Sequence, residues 1–276
     1  MKLGLIAGGG DLPKHVAYAA GEELGRVIVL DGFGRPDDFP GAAVIGLAQF
    51  GKVVKTLKKS DCTHVCFVGY VDRPNFKNMK PDLRALFLMP GAMKAATNGD
   101  DALLRHILGL FEKEGFEIIS PQEVCVDLLL QEGALGAINL PRTHREDALT
   151  ACHIAQVIGG LDIGQGAVVA RGVTLAVEAQ EGTDAMLHRV ASLPQDLRGT
   201  ANERVGVLAK MVKPRQDQRV DLPVIGLATV ENAAAAGLAG IVAEAGRAFV
   251  LDEEAVVEAA NRHGLFVLGL PPSAND

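Results

Sequence analysis

The residues best suited to chemistry lie in the second half of the chain. They are Gln165, the run Glu178-Ala179-Gln180-Glu181-Gly182-Thr183-Asp184, the pair Lys210 and Lys213, and the run Gln216-Asp217-Gln218-Arg219-Val220-Asp221. Carboxylates suit Mg²⁺, which keeps several waters and is held by one or two acids plus substrate phosphates. Lysines suit phosphate oxygens as point charges. Asp221 is followed by Leu-Pro-Val-Ile-Gly, an apolar flank that predicts partial burial, and a buried carboxylate needs a partner such as a metal. The plainer alternative is that these charges are solvated loop residues, with Glu181 or Asp184 favouring a helix N-terminus.

The first half offers backbone rather than side chains. Ala7-Gly8-Gly9-Gly10-Asp11-Leu12-Pro13 leaves an apolar run. Glycines there let the backbone approach a ligand, and the next helix offers unpaired N–H groups to an anion. A dinucleotide fingerprint would want a third glycine where Pro13 stands, although Asp31 sits where a ribose-binding acid would. Gly46 to Lys52 spells GxxxxGK, but Val53 replaces the hydroxyl that binds magnesium in a P-loop, so the match reads as chance. Gly69-Tyr70-Val71-Asp72-Arg73-Pro74 leaves another strand at its carboxyl end, making Arg73 a candidate phosphate contact. No serine lies in GxSxG and no HExxH occurs, which argues against serine-hydrolase and zinc-peptidase mechanisms.

These residues require strand ends to hold them. Leu3 to Ala7, Arg26 to Leu30, His64 to Gly69 and Phe116 to Ile119 read as strands, with helices at Pro13 to Leu24 and Asp101 to Glu114. This alternation gives a parallel sheet covered by helices. Gly133, Gly136 and Pro141 mark a change of rhythm, placing domains at 1–130 and 131–276. Beyond it, His144 to Ile158 reads as a helix and Ala167 to Val177 as a hairpin turning at Arg171-Gly172. Thr183 or Asp184 caps a helix to Leu193, and Val205 to Val212 is a strand. Ala228 to Ala236 and Glu253 to His263 are helices, with short strands at Ile241 to Glu244 and Leu265 to Leu268. The tail from Pro271 reads as disordered. The fold class expected is α/β, an N-terminal Rossmann-like parallel-sheet domain followed by a C-terminal α/β domain with a mixed sheet.

Composition narrows the partners. A formal charge of −7 over 276 residues argues against a nucleic-acid partner, which demands a basic face. The cysteines at 62, 66, 125 and 152 form neither a CxxC pair nor a disulfide framework, which suits a reducing cytoplasm. Cys62, His64 and Cys66 would share one side of a strand, a spacing that more often marks small buried hydrophobes than a metal site. No stretch approaches twenty apolar residues.

The ordered phrases LIAGGGDLP, GYVDRP, GDDALLR, DIGQGAVV, LAVEAQEGTD, KMVKPRQDQRVDLPVIG and AGLAGI with EAGR resemble the LpxI family of UDP-2,3-diacylglucosamine diphosphatases, nearly end to end. The resemblance implies Mg²⁺-dependent hydrolysis of the substrate pyrophosphate to UMP and 2,3-diacylglucosamine 1-phosphate (lipid X) in lipid A synthesis, by two domains closing over the lipid. A cytoplasmic chain is expected from the lack of a signal or spanning segment, with peripheral contact at the inner membrane, while the resemblance implies a homodimer and maps the key acid, as catalytic group or metal ligand, onto Asp221. The substrate contacts expected are Gly9, Gly10, Asp11, Arg73, Asp100, Asp101, Gln165, Thr183, Asp184, Lys210 and Lys213. Two other readings compete: a nicotinamide-dependent oxidoreductase resting on the glycine turn and Asp31, and a non-catalytic protein that binds a lipid or sugar nucleotide.

Overall fold

β1 (Leu3–Ala7) is buried at every residue, as a strand with parallel neighbours on both sides must be. The structure, a computed structural model, describes residues 1–71, 79–213 and 222–272. Arg73, Asp217, Arg219, Asp221 and the tail from 273 onward lie outside the described residues.

The chain divides into two compact units at Val126/Asp127. In the first, β1 is followed by α1 (Leu12–Ala20), β2 (Leu24–Leu30), β3 (Ala43–Ile45), α2 (Phe50–Lys59), β4 (His64–Val68), α3 (Leu83–Ala96), α4 (Asp100–Lys113), β5 (Glu117–Ile118) and α5 (Pro121–Val124). The sheet runs β3-β2-β1-β4-β5, every pairing parallel. Strand order therefore reverses between β1 and β4, the switch point outside whose carboxyl ends such sheets bind ligands. Ile6, Ile28 and Val65 pack with Val53 and Leu57 of α2 and Leu108 and Phe111 of α4. Phe50 and Phe67 meet the Phe111 ring edge-on at 5.0 and 5.1 Å.

The second unit carries β6 (Gly133–Ala134), α6 (Arg145–Gly160), β7 (Gly166–Ala170), β8 (Val173–Val177), α7 (Gly182–Ala191), β9 (Val207–Lys210), β10 (Val224–Ile225), α8 (Leu227–Ala235), β11 (Gly240–Glu244), β12 (Phe249–Val250), α9 (Glu253–His263) and β13 (Phe266–Leu270). Its main sheet is mixed, in the order β6-β13-β11-β9-β7-β8. β9, β11 and β13 are parallel, β7 is antiparallel to both its neighbours, and β6 is antiparallel to β13. The strands alternate in what they bury. Val168, Leu208 and Ile241 join α7, α8 and α9 in one core, while Ala167, Val169, Val207 and Ala209 face Ala148, Ala151 and Ala155 of α6 in another. β10 and β12 pair apart from this sheet.

The α/β class and both sheet types agree with the sequence reading, but several boundaries move. The first helix stops at Ala20, because Gly21 at φ +48 opens a tight turn and Leu24 already belongs to β2. α7 starts at Gly182 after Glu181, so Thr183 and Asp184 sit within its first turn rather than capping it. Among the described residues, no helix is long and apolar enough to cross a membrane.

Candidate functional site

At the switch point of the first unit, the glycines admit the chain itself. Gly8 N–H donates to Val68 O and Gly9 N–H to Tyr70 O, both at 2.8 Å, and Tyr70 N–H returns to Gly9 O at 3.1 Å. A Cβ on Gly8 would lie 2.6 Å from Tyr70 O, and one on Gly9 2.5 Å from the Tyr70 ring. The close approach read from these two glycines is therefore made by the loop leaving β4, and their N–H groups are spent on it. Gly10, at φ +88, and Asp11 remain exposed at the start of α1. The Tyr70 ring is 63% exposed over the turn.

Asp11 is ion-paired with Arg35. The Arg35 Nη2 lies 3.5 Å from Gly10 O, and its Nε lies 2.9 Å from Asp38. Asp11 first, then Asp38, holds the guanidinium above its ordinary pKa. Arg35 was not singled out in the sequence, yet it is a cation brought to the switch point. The signal was the glycine spacing of Gly32 and Gly34. A Cβ on Gly34 would stand 2.8 Å from Ala7 O, so this loop must fold back over the end of β1.

Asp100 and Asp101 occupy the first turn of α4, where acids complement the helix dipole. Asp101 pairs with Arg105 at 2.8 Å. The GxxxxGK segment opens α2, and the acid at its N-terminus is the chain's own. Asp82 accepts from Lys52 N–H at 3.0 Å and from Ala85 N–H at 2.8 Å, so one carboxylate caps both α2 and α3.

In the second unit the polar residues gather along one edge of the sheet. β7 begins where β8, β9 and β11 end, which puts Gln165, Glu178, Lys210 and Glu244 on the same rim. Lys210 is in register with Gly166 on one side and Ala243 on the other. Met211 N–H donates to Gln165 O and Glu178 N–H to Gly166 O, each at 2.8 Å. Glu178, Lys210 and Glu244 are buried, at 6%, 5% and 4% exposure. The glycines of the Gly164-Gln165-Gly166 run make room for Glu178. A Cβ on Gly164 would meet Glu178 O at 2.1 Å, and one on Gly166 its Oε2 at 2.5 Å. Gln165 Oε1 is buried and finds no hydrogen-bond partner among the described residues.

Each lysine makes an internal contact. Lys210 Nζ donates to Val224 O at 2.7 Å, and Lys213 Nζ pairs with Asp162 at 2.9 Å. Thr183 and Asp184 are set on α7, where Asp184 accepts from Asn232 Nδ2 at 3.0 Å and Asn232 Oδ1 lies 3.2 Å from His188 Nε2. Glu181 is held below its ordinary pKa by its own backbone amide and by Arg189, 2.7 Å away. Glu244, Asp162 and Tyr70 were not read as site residues. An acid closing the buried strand Gly-Ile-Val-Ala-Glu was the available signal for Glu244.

Among the described residues, no group of three or more His, Cys, Asp or Glu side chains could hold a metal ion. His64 contacts Thr63 Oγ1 at 2.8 Å and Glu117 at 3.2 Å, and Cys62 and Cys66 are buried, with Cys62 preceding β4 rather than lying on it.

A parallel sheet with a glycine-lined switch point and a mixed-sheet unit with buried acids and a lysine at its strand ends define a two-unit α/β protein. The chain belongs to the LpxI family: the LpxI N-terminal domain matches residues 2–128 and the LpxI C-terminal domain residues 131–268. It is 54% identical to the UDP-2,3-diacylglucosamine pyrophosphatase LpxI of Caulobacter vibrioides over 276 residues, covering 98% of each chain. The Thermus thermophilus UDP-glucose 4-epimerase structure, complexed with NAD, aligns at a TM-score of 0.29 and 15% identity over 100% of this chain and 88% of the other. That similarity carries no functional weight.

Proposed function

We propose that the protein hydrolyses the pyrophosphate of UDP-2,3-diacylglucosamine, releasing UMP and 2,3-diacylglucosamine 1-phosphate in lipid A synthesis. The observation that carries this reading is the 54% identity to the Caulobacter vibrioides pyrophosphatase across 98% of both chains. Water attacks one phosphorus, the bridging P–O bond breaks, and the water proton passes to a base while the other phosphate departs. Mg²⁺, when bound, neutralises charge on the phosphate oxygens. By donor type Glu178 would be one ligand, a buried carboxylate on the same face of the sheet as Lys210, because hard cations take oxygen ligands. Asp221 enters through the resemblance, as a ligand or as the group that orients the water.

The chain's own residues supply the rest. Lys210 is fixed by Val224 O, so its charge needs no reorganisation as charge builds on the phosphates. Gln165 Oε1 is a buried acceptor at the same end of the sheet. The exposed start of α1 offers amides to an anion, while Arg35 is held there by Asp11 and Asp38. The oxidoreductase alternative loses support where Gly8 and Gly9 spend their N–H groups internally.

The test is UMP release from UDP-2,3-diacylglucosamine in detergent micelles. Activity should disappear with EDTA and return with Mg²⁺. Full activity in excess chelator would remove the metal. Substrate binding with no UMP released under either condition would leave a binding protein.

A further inference from the structure

α3 exposes an apolar stripe that nothing in the proposed chemistry uses. Leu83 is 81% exposed, Leu86 54%, Phe87 83% and Met93 49%. With exposed Pro90 they fall at i, i+3, i+4, i+7 and i+10, one face of the helix. Large side chains this exposed and this contiguous mark an interaction surface.

The ground beside the stripe is basic, in a chain whose net charge is −7. α2 buries Val53, Val54 and Leu57 and so turns Lys52, Lys55 and Lys59 outward, all exposed. A cavity of about 490 Å³ is lined by Gly51, Val54, Lys55, Lys58, Lys59 and Arg84. Arg84 sits in the first turn of α3, next to Leu83. The nearby acids are engaged, Glu114 by both Lys58 and Arg84 and Asp82 by the amides of Lys52 and Ala85. Lys94 lies on the apolar face itself, between Pro90 and the end of α3.

We propose that α2 and α3 form a docking surface for an anionic phospholipid membrane, with the α3 stripe entering the headgroup boundary and the α2 lysines meeting lipid phosphates. An apolar face bordered by lysine and arginine is the pattern of a helix lying in the interface plane. Charge complementarity favours a membrane over a second copy of the chain, because two like basic patches would face each other in an isologous dimer. The proposal rests on the function above in one respect: a diacylated substrate resides in a membrane and must be met there.

The experiment is co-sedimentation of the full chain with vesicles of phosphatidylglycerol or of phosphatidylcholine alone. Two double variants, Lys55→Gln/Lys59→Gln and Leu83→Ser/Phe87→Ser, go through the same assay, with UMP release in micelles and sedimentation velocity alongside. Binding should require phosphatidylglycerol and weaken with salt. Each lysine removed should lower partitioning about fivefold, so the lysine pair loses more than tenfold. The apolar pair should lose binding while micellar activity stays within about threefold of wild type. Binding that is absent, indifferent to lipid charge or unchanged in both variants overturns the proposal. So does dissociation of an oligomer in the Leu83/Phe87 variant without any vesicle binding, which assigns the stripe to a second copy. Failure of the proposed activity would show separately, as absent UMP release by wild type.

Discussion

At the scale of single residues, the rim lysines separate structure from chemistry. Lys213 is ion-paired with Asp162, so its loss could act through that contact. If Lys213 serves the substrate phosphates, Lys213→Met should lower kcat/KM at least tenfold, roughly 1.4 kcal/mol of barrier, while Asp162→Asn stays within about threefold. Equal losses would make Lys213 a tether. The cysteines give a pH signature. Burial pushes Cys152 up to about 12 and drives Cys66 higher still. The folded pKa lies above the unfolded one, so above about pH 8.5 the unfolded state sheds protons that the folded state keeps, and stability falls as pH rises. Each thiol should cost about 2 kcal/mol by pH 10. Cys66→Ala should flatten the decline measured by urea denaturation between pH 8 and 10, and an unchanged slope would contradict the burial argument.

At the scale of elements, side chains fix turns that the backbone would not adopt unaided. Arg171 takes φ +52 in the β7–β8 turn, a conformation that costs a non-glycine residue energy. Asp147, buried at 6% exposure in the first turn of α6, accepts from Arg171 N–H at 2.9 Å and Gly172 N–H at 2.8 Å. Asp147→Ala strips both amides of their acceptor and should cost about 2–4 kcal/mol in urea; a loss under 1 kcal/mol would show that water replaces the carboxylate. The hairpin was legible in the sequence because alternation and the Gly172 turn are local signals, and β1 and α9 were legible to the residue for the same reason. α3 was not, since Leu83 to Ala96 carries apolar residues on its exposed face as well as its buried one, with Pro90 inside it, and periodicity gives no clear signal there. Nor could local pattern reveal Asp82 capping two helices, or Lys210 reaching Val224, because both contacts join segments distant in sequence.

At the scale of the molecule, the rim clusters Gln165, Glu178 and Lys210 because β7 runs antiparallel to β8 and β9, a topology that no motif announces. The motifs nonetheless marked most of the residues it gathers, since each polar run follows or precedes an apolar strand. The homodimer implied by the family resemblance predicts a sedimentation coefficient for two chains at micromolar concentration; a monomer there would remove it. The most direct test of the account compares UMP release, substrate affinity and melting for wild type and Asp221→Ala. Capture is distributed over many contacts, whereas hydrolysis depends on one acid, so the variant should retain binding and its melting midpoint but lose turnover about a hundredfold to ten-thousandfold. Turnover within about tenfold of wild type, in a folded protein that still binds UDP-2,3-diacylglucosamine, would contradict it.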